Sequence, residues 1–153
     1  MKNQNAEWLA RALIVAMFAL AVWTWPFAPS QIPIHWDITG QINGYGSKLV
    51  GLFLLPSIAL AGYALIGLAP AIKPEQFNGR MRSAVSWFRV AYVLLMAGVF
   101  GVVVADARGG NVNMNYVVFP LVALVWIAIA NLLVRRMQDR IGRTAPPGGG
   151  IRI

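Results

Sequence analysis

The sequence predicts an all-α integral membrane protein: four transmembrane helices with a small extended, β-like cap on the extracytoplasmic loops. Two observations carry that prediction. Of 153 residues, 58% are hydrophobic and only 12% charged, with a mean hydropathy of +0.62, whereas a soluble domain is about a quarter charged. Four apolar runs, 8–25, 49–72, 84–105 and 116–134, each approach the ~20 residues a helix needs to cross ~30 Å of hydrocarbon. Backbone amides in lipid must pair within their own segment, so these runs are read as helices. Their weak alternation argues against a membrane barrel, whose strands are shorter and dyad-patterned.

The first run is longer than the apolar stretch of a signal peptide. Trp23, Trp25 and Pro26 stand where signal peptidase needs small residues, so it is read as a retained helix. In the second run, Pro56 removes an amide donor and predicts a kink with free carbonyls near Leu52. Pro120 falls in the first turn or so of the fourth, where amides lack helical partners anyway. Gly62, Ala64, Gly67, Gly98 and Gly101 suit close helix packing, within one chain or between two copies of a homo-oligomer. No Asp, Glu, Lys or His lies near a helix centre, where ion-coupled transporters keep such groups. There is no cysteine, which excludes disulfides and thiolate metal sites.

The net charge of +8 is distributed by side. Eleven of thirteen Lys and Arg, namely Lys2, Arg11, Lys73, Arg80, Arg82, Arg89, Arg135, Arg136, Arg140, Arg143 and Arg152, fall on one side. Lys48 and Arg108 fall on the other. This positive-inside pattern predicts that both termini and the central loop lie in the cytoplasm and the first and third loops outside. Arg11 and Arg89 lie just inside helix ends, from which they are expected to snorkel to the interface. Trp8, Trp23, Trp25 and Trp87 read as interfacial anchors. A nucleic-acid partner would need the basic residues on one folded face with aromatics interleaved; here they straddle helices. The lipid bilayer is the partner they imply. The tail, 135–153, is basic and then Pro/Gly-rich, a composition suited to a cytoplasmic extension touching anionic lipid.

The chemistry is confined to the outer loop, 26–48. Ile32, Ile34, Trp36 and Ile38 alternate with Pro33, His35, Asp37 and Thr39, a period-two strand signal. Gly40 and Asn43-Gly44 are read as turns, and Tyr45 as an interfacial anchor. A second alternation, Asn111, Asn113 and Asn115 against Val112, Met114 and Tyr116, predicts another extended piece beside the first. Residues two apart on a strand project together, ~7 Å apart, so Asp37 can fix the tautomer of His35 and raise its pKa. The pair is compatible with half a metal site, with Asp106 as a further ligand, with acid–base chemistry, with pH-sensitive recognition, or with a hydrogen bond internal to the cap. Gly44-Tyr45-Gly46 also occurs in potassium-channel filters. Here the Thr-Val pair and the pore helix that precede such a filter are missing, and turn formation explains the glycines better.

Ile32-Pro33-Ile34-His35-Trp36-Asp37-x-x-Gly40, followed by Gly44-Tyr45-Gly46-Ser47-Lys48, resembles a bacterial membrane domain of unknown function. That domain forms the amino-terminal part of the SdpI-like immunity proteins. Asp37 stands where the family pattern has Asn, and Ile42-Asn43 where it has Pro-Asp. The carboxy-terminal half of SdpI-like proteins has no counterpart here, where a Pro/Gly tail follows the fourth run. The resemblance implies an inner-membrane protein that protects against a secreted toxic peptide and can hold a repressor at the membrane. The resulting expectation is a non-catalytic protein of immunity or sensing type with no cofactor. It would recognise a secreted peptide or a membrane or regulatory protein through His35, Trp36, Asp37, Gly40, Asn43, Gly44, Tyr45, Gly46 and Lys48. The alternatives are a membrane-embedded metal-dependent enzyme built on His35, Asp37 and Asp106, and a small transporter or assembly subunit.

Overall fold

A computed structural model describes residues 4–144. It contains α1 (Gln4–Thr24), β1 (Gln31–Trp36), β2 (Ile42–Ser47), α2 (Lys48–Ile72), a 3-10 turn (Pro74–Gln76), α3 (Gly79–Ala107) and α4 (Met114–Thr144). All four helices are long and apolar enough to cross a membrane. The chain is a membrane protein of four candidate spans capped by a two-stranded antiparallel sheet.

Local chemistry sets the helix ends. Ser47 caps α2, its Oγ accepting from Val50 N at 3.4 Å, and Asn78 caps α3, accepting from Met81 N at 2.9 Å. Helix α2 runs unbroken through both Pro56 and Pro70. Pro120 lies inside α4 rather than in its first turn, because that helix begins at Met114. At its other end α4 continues through Thr144, so the first part of the basic segment is helical. The run Ala145 to Gly150, with Lys2 and Arg152, lies outside the described residues.

Helix α3 is the hub, packing against α1, α2 and α4. A stripe of Ala6, Ala10, Ile14, Met17 and Ala21 buries one face of α1, the three- and four-residue spacing of a helix face. Val93, Phe100 and Val103 supply the facing core from α3. Helix α4 leans on α3, with no fully buried residue between 115 and 141. Gly98 makes that contact close: a Cβ there would run into Leu121. Gly62 likewise admits Tyr92, whose hydroxyl donates to Ile58 O at 2.8 Å. Gly101, by contrast, meets nothing within 4 Å.

The extended cap differs from the predicted one in register and in partner. Strand β1 pairs with β2, whose glycines had suggested turns. Register shifts fall on both sides of His35: Pro33 pairs with Tyr45, His35 with Gly44, and Trp36 with Ile42. Ile34 and Asn43 are therefore the extra residues of two offsetting bulges. The bulges break the strict alternation, so Ile32 is fully buried and Pro33 buried, while Ile34 is exposed and Ile38 is 91% exposed. The Asn111–Asn115 row forms no strand. Instead Asn113 Nδ2 donates to Thr39 O at 3.3 Å and Asn115 Nδ2 to Ile38 O at 2.9 Å. The two loops do meet, through side-chain amides rather than a backbone ladder.

Candidate functional site

The hairpin is built around its turn. Asp37 Oδ1 accepts from Thr39 Oγ1 at 2.6 Å, Thr39 N at 2.8 Å and Gln41 N at 3.0 Å. Asp37 N donates to Gln41 O and Gly40 N to Asp37 O. Gly40 has φ of +83° and its α-carbon faces the Asn113 amide, so a side chain would be both strained and crowded. The hydroxyl of Thr39, followed by the Gln41 amide, holds the Asp37 carboxyl below its ordinary range.

Asp37, expected to orient His35, instead holds the turn through Oδ1. The imidazole has another partner, Asn43: His35 Nδ1 lies 2.5 Å from Asn43 Oδ1. An amide oxygen accepts only, so in this pair Nδ1 is the donor, and in the neutral tautomer Nε2 is then the acceptor. Gly44 stands opposite because a Cβ would approach His35 Cβ to 2.9 Å, and Gly46 because a Cβ would approach Ile34 Cδ1 to 2.8 Å. Tyr45 projects from the same strand, 59% exposed. Lys48 extends over Trp25, its Nζ 5.2 Å from the ring centre, and Arg108 covers Trp23 at 4.5 Å. Such cation–π contacts secure the Trp23 and Trp25 rings at the end of α1.

At the hairpin end, three buried polar atoms have no hydrogen-bond partner among the described residues: Thr24 Oγ1 at the end of α1, Trp36 Nε1 in β1, and Asp106 Oδ2 near the end of α3. Asp106 Oδ1 accepts from Val112 N at 3.1 Å. The predicted metal candidates His35, Asp37 and Asp106 do not gather: no group of three His, Cys, Asp or Glu able to hold an ion occurs among the described residues.

A second polar centre lies near the opposite end of the bundle, and the sequence reading missed it. Arg89 Nη1 approaches Glu7 Oε2 at 2.8 Å, both side chains at least four-fifths buried. Tyr63 Oη donates to the same carboxylate oxygen at 2.6 Å and accepts from Arg11 Nε at 3.0 Å. Arg89 Nε donates to Tyr63 O at 3.1 Å, and its guanidinium stacks 3.6 Å from the Tyr63 ring centre. Arg89 therefore does not snorkel: it turns inward and ties α1, α2 and α3 together. The signal was Glu7 beside Arg11 at helical spacing, with an arginine inside another span to pair with it.

The fold and the hairpin define a four-span membrane protein whose conspicuous polar surface is one capped loop. Residues 12–60, which take in α1 from residue 12 onward, the hairpin and the first half of α2, match a family described as a domain of unknown function, DUF1648. The chain is also similar to the uncharacterized membrane protein YbgB of Bacillus subtilis (strain 168), 37% identical over 43 residues. That match takes in 28% of this chain and 47% of YbgB, so the chain spans about half the length of that relative. No solved structure matches the chain.

Proposed function

We propose that the protein is a non-catalytic recognition component of the bacterial inner membrane, of immunity or sensing type, with both termini cytoplasmic and the hairpin facing outward. The side distribution of Lys and Arg supports the orientation. The likeness of the hairpin motif to SdpI-like proteins supports the role. The single observation that carries the reading is the hold of Asn43 on His35. The exposed imidazole is fixed by its Nδ1 on a bulged hairpin, so Nε2 can accept a hydrogen bond from a ligand. The turn at Asp37 and Gly40 sets the hairpin, Gly44 and Gly46 let its strands close, Trp36 packs against the core, and Tyr45 and Lys48 supply aromatic and cationic contact. A secreted peptide, which offers both donors and apolar side chains, suits that surface.

The test replaces His35 and Asn43 singly by alanine and measures survival of cells challenged with secreted peptide toxins. Both variants are expected to lose protection while accumulating to wild-type levels. Unchanged survival at unchanged protein level overturns the recognition role. A reporter fused to the carboxyl end that matures outside the cell overturns the orientation.

A further inference from the structure

Between α2 and α4, near the end of the bundle that carries Gln4 and Thr144, an apolar cavity of about 380 Å³ opens over α3. Its walls include Ile66 and Ala69 of α2, Phe88 of α3, and Ile129 and Leu132 of α4. Gln76, Met81 and Arg136 line it and also line a second cavity of about 270 Å³, which Asp139 and Arg140 complete. An apolar chamber thus runs into a polar one, with Arg136 at the junction.

The depth of that junction identifies the occupant. Arg136 is 22 residues beyond Met114, the start of α4, or ~33 Å along a helix rising ~1.5 Å per residue. The hydrocarbon layer is ~30 Å thick, so Arg136 sits at headgroup level and Asp139 about one turn further toward water. Neighbouring arginines are committed to the protein: Arg82 donates to Phe77 O and Pro70 O, and Arg135 to Asn131 Oδ1 and Arg80 O. The Arg136 side chain makes no hydrogen bond or ion pair among the described residues. Asp139 Oδ2 is buried with no hydrogen-bond partner among the described residues, a costly state that a bound donor relieves.

We propose that this groove holds one glycerophospholipid with an ethanolamine-type headgroup. One of its two acyl chains lies along Ile66, Phe88, Ile129 and Leu132. Its phosphodiester meets the Arg136 guanidinium, whose planar donors suit phosphate oxygens. Its ammonium reaches the Asp139 carboxylate. The order of charges along α4, cation and then anion toward water, complements the order of anionic phosphate and cationic ammonium in such a headgroup. An apolar helix from a second copy would fill the chamber but leave both Arg136 and Asp139 unpaired.

The test is native mass spectrometry of the full chain released from membranes holding equal phosphatidylethanolamine and phosphatidylglycerol. Wild type is expected to retain one phospholipid, enriched in the ethanolamine form. Arg136→Ala, an exposed position where alanine preserves the helix, is expected to retain about tenfold less, the fold-change of one lost charge-assisted contact. Asp139→Asn is expected to keep binding but lose the preference between headgroups. The chain has no cysteine, so Leu132→Cys reports a second copy in the groove by disulfide capture. Wild type without retained lipid, undiminished retention by Arg136→Ala, an unaltered preference in Asp139→Asn, or efficient Leu132→Cys capture overturns the proposal.

Discussion

Arg89 and Glu7 meet at 2.8 Å across the α1–α3 seam, with the Tyr63 hydroxyl on the same carboxylate oxygen. Removing one partner strands a desolvated charge and costs more than the pair contributes. Glu7→Ala is therefore expected to destabilise the bundle by about 3 kcal/mol, measured as unfolding in lipid nanodiscs. The double variant Glu7→Gln/Arg89→Gln is expected to recover part of that loss, because no buried charge is left unpaired. Equal cost for the single and double variants would show that packing, not the ion pair, holds α1.

The α3–α4 contact depends on the missing side chain at Gly98. Gly98→Val drives two methyl groups into Leu121 and is expected to cost about 1–3 kcal/mol, the range for overpacking. Leu121→Ala in the same chain restores room and is expected to rescue much of it. Gly101→Ala, with open space around the new Cβ, is the control and should be nearly neutral or slightly stabilising. Thermal unfolding of the four proteins decides the matter.

The spans were legible because apolar length is a one-dimensional signal that lipid enforces. The hairpin was half legible. Residues from Ile32 to Trp36 read as extended, but Gly44 and Gly46 looked like turn residues when they are strand residues kept small by His35 and Ile34. That reason is a cross-strand contact, which a single sequence does not display. The Asn111–Asn115 row was read correctly as a neighbour of the first loop and wrongly as a strand, since its amides reach carbonyls directly. At Asp37 the competing principle was turn chemistry: an Asx side chain captures nearby amides before it reaches the imidazole. Arg89 was misread because its hydropathic position fits both snorkelling and pairing, and only the position of Glu7 chooses between them.

Gly40 links the hairpin to α4, since its positive φ lets the turn pass under Asn113 and Asn115. Gly40→Ala is expected to cost about 1–3 kcal/mol locally, as non-glycine residues in sparsely populated backbone regions do. The hairpin amides and those at the start of α4 should lose hydrogen-exchange protection together. Asn115→Ala removes the bond to Ile38 O without backbone strain and should release the start of α4 alone. Protection lost only in the hairpin of Gly40→Ala would show that the two loops are not coupled.

The turn also carries a pH dependence whose direction follows from its hydrogen bonds. The Thr39 hydroxyl, followed by the Gln41 amide, lowers the Asp37 pKa in the folded hairpin. A group with a depressed folded pKa contributes stability above its unfolded value, ~3.9 for Asp, and loses it as pH falls through the folded value. The turn is thus expected to be fully formed at neutral and mildly acidic pH and to loosen only below the ordinary carboxylate range. Exchange at Thr39 and Gln41, corrected for intrinsic rates, should accelerate there in wild type. In Asp37→Asn the amide oxygen still accepts but does not titrate, so that pH step should vanish. A pH step that persists unchanged in Asp37→Asn would transfer control of the turn from Asp37 to another group.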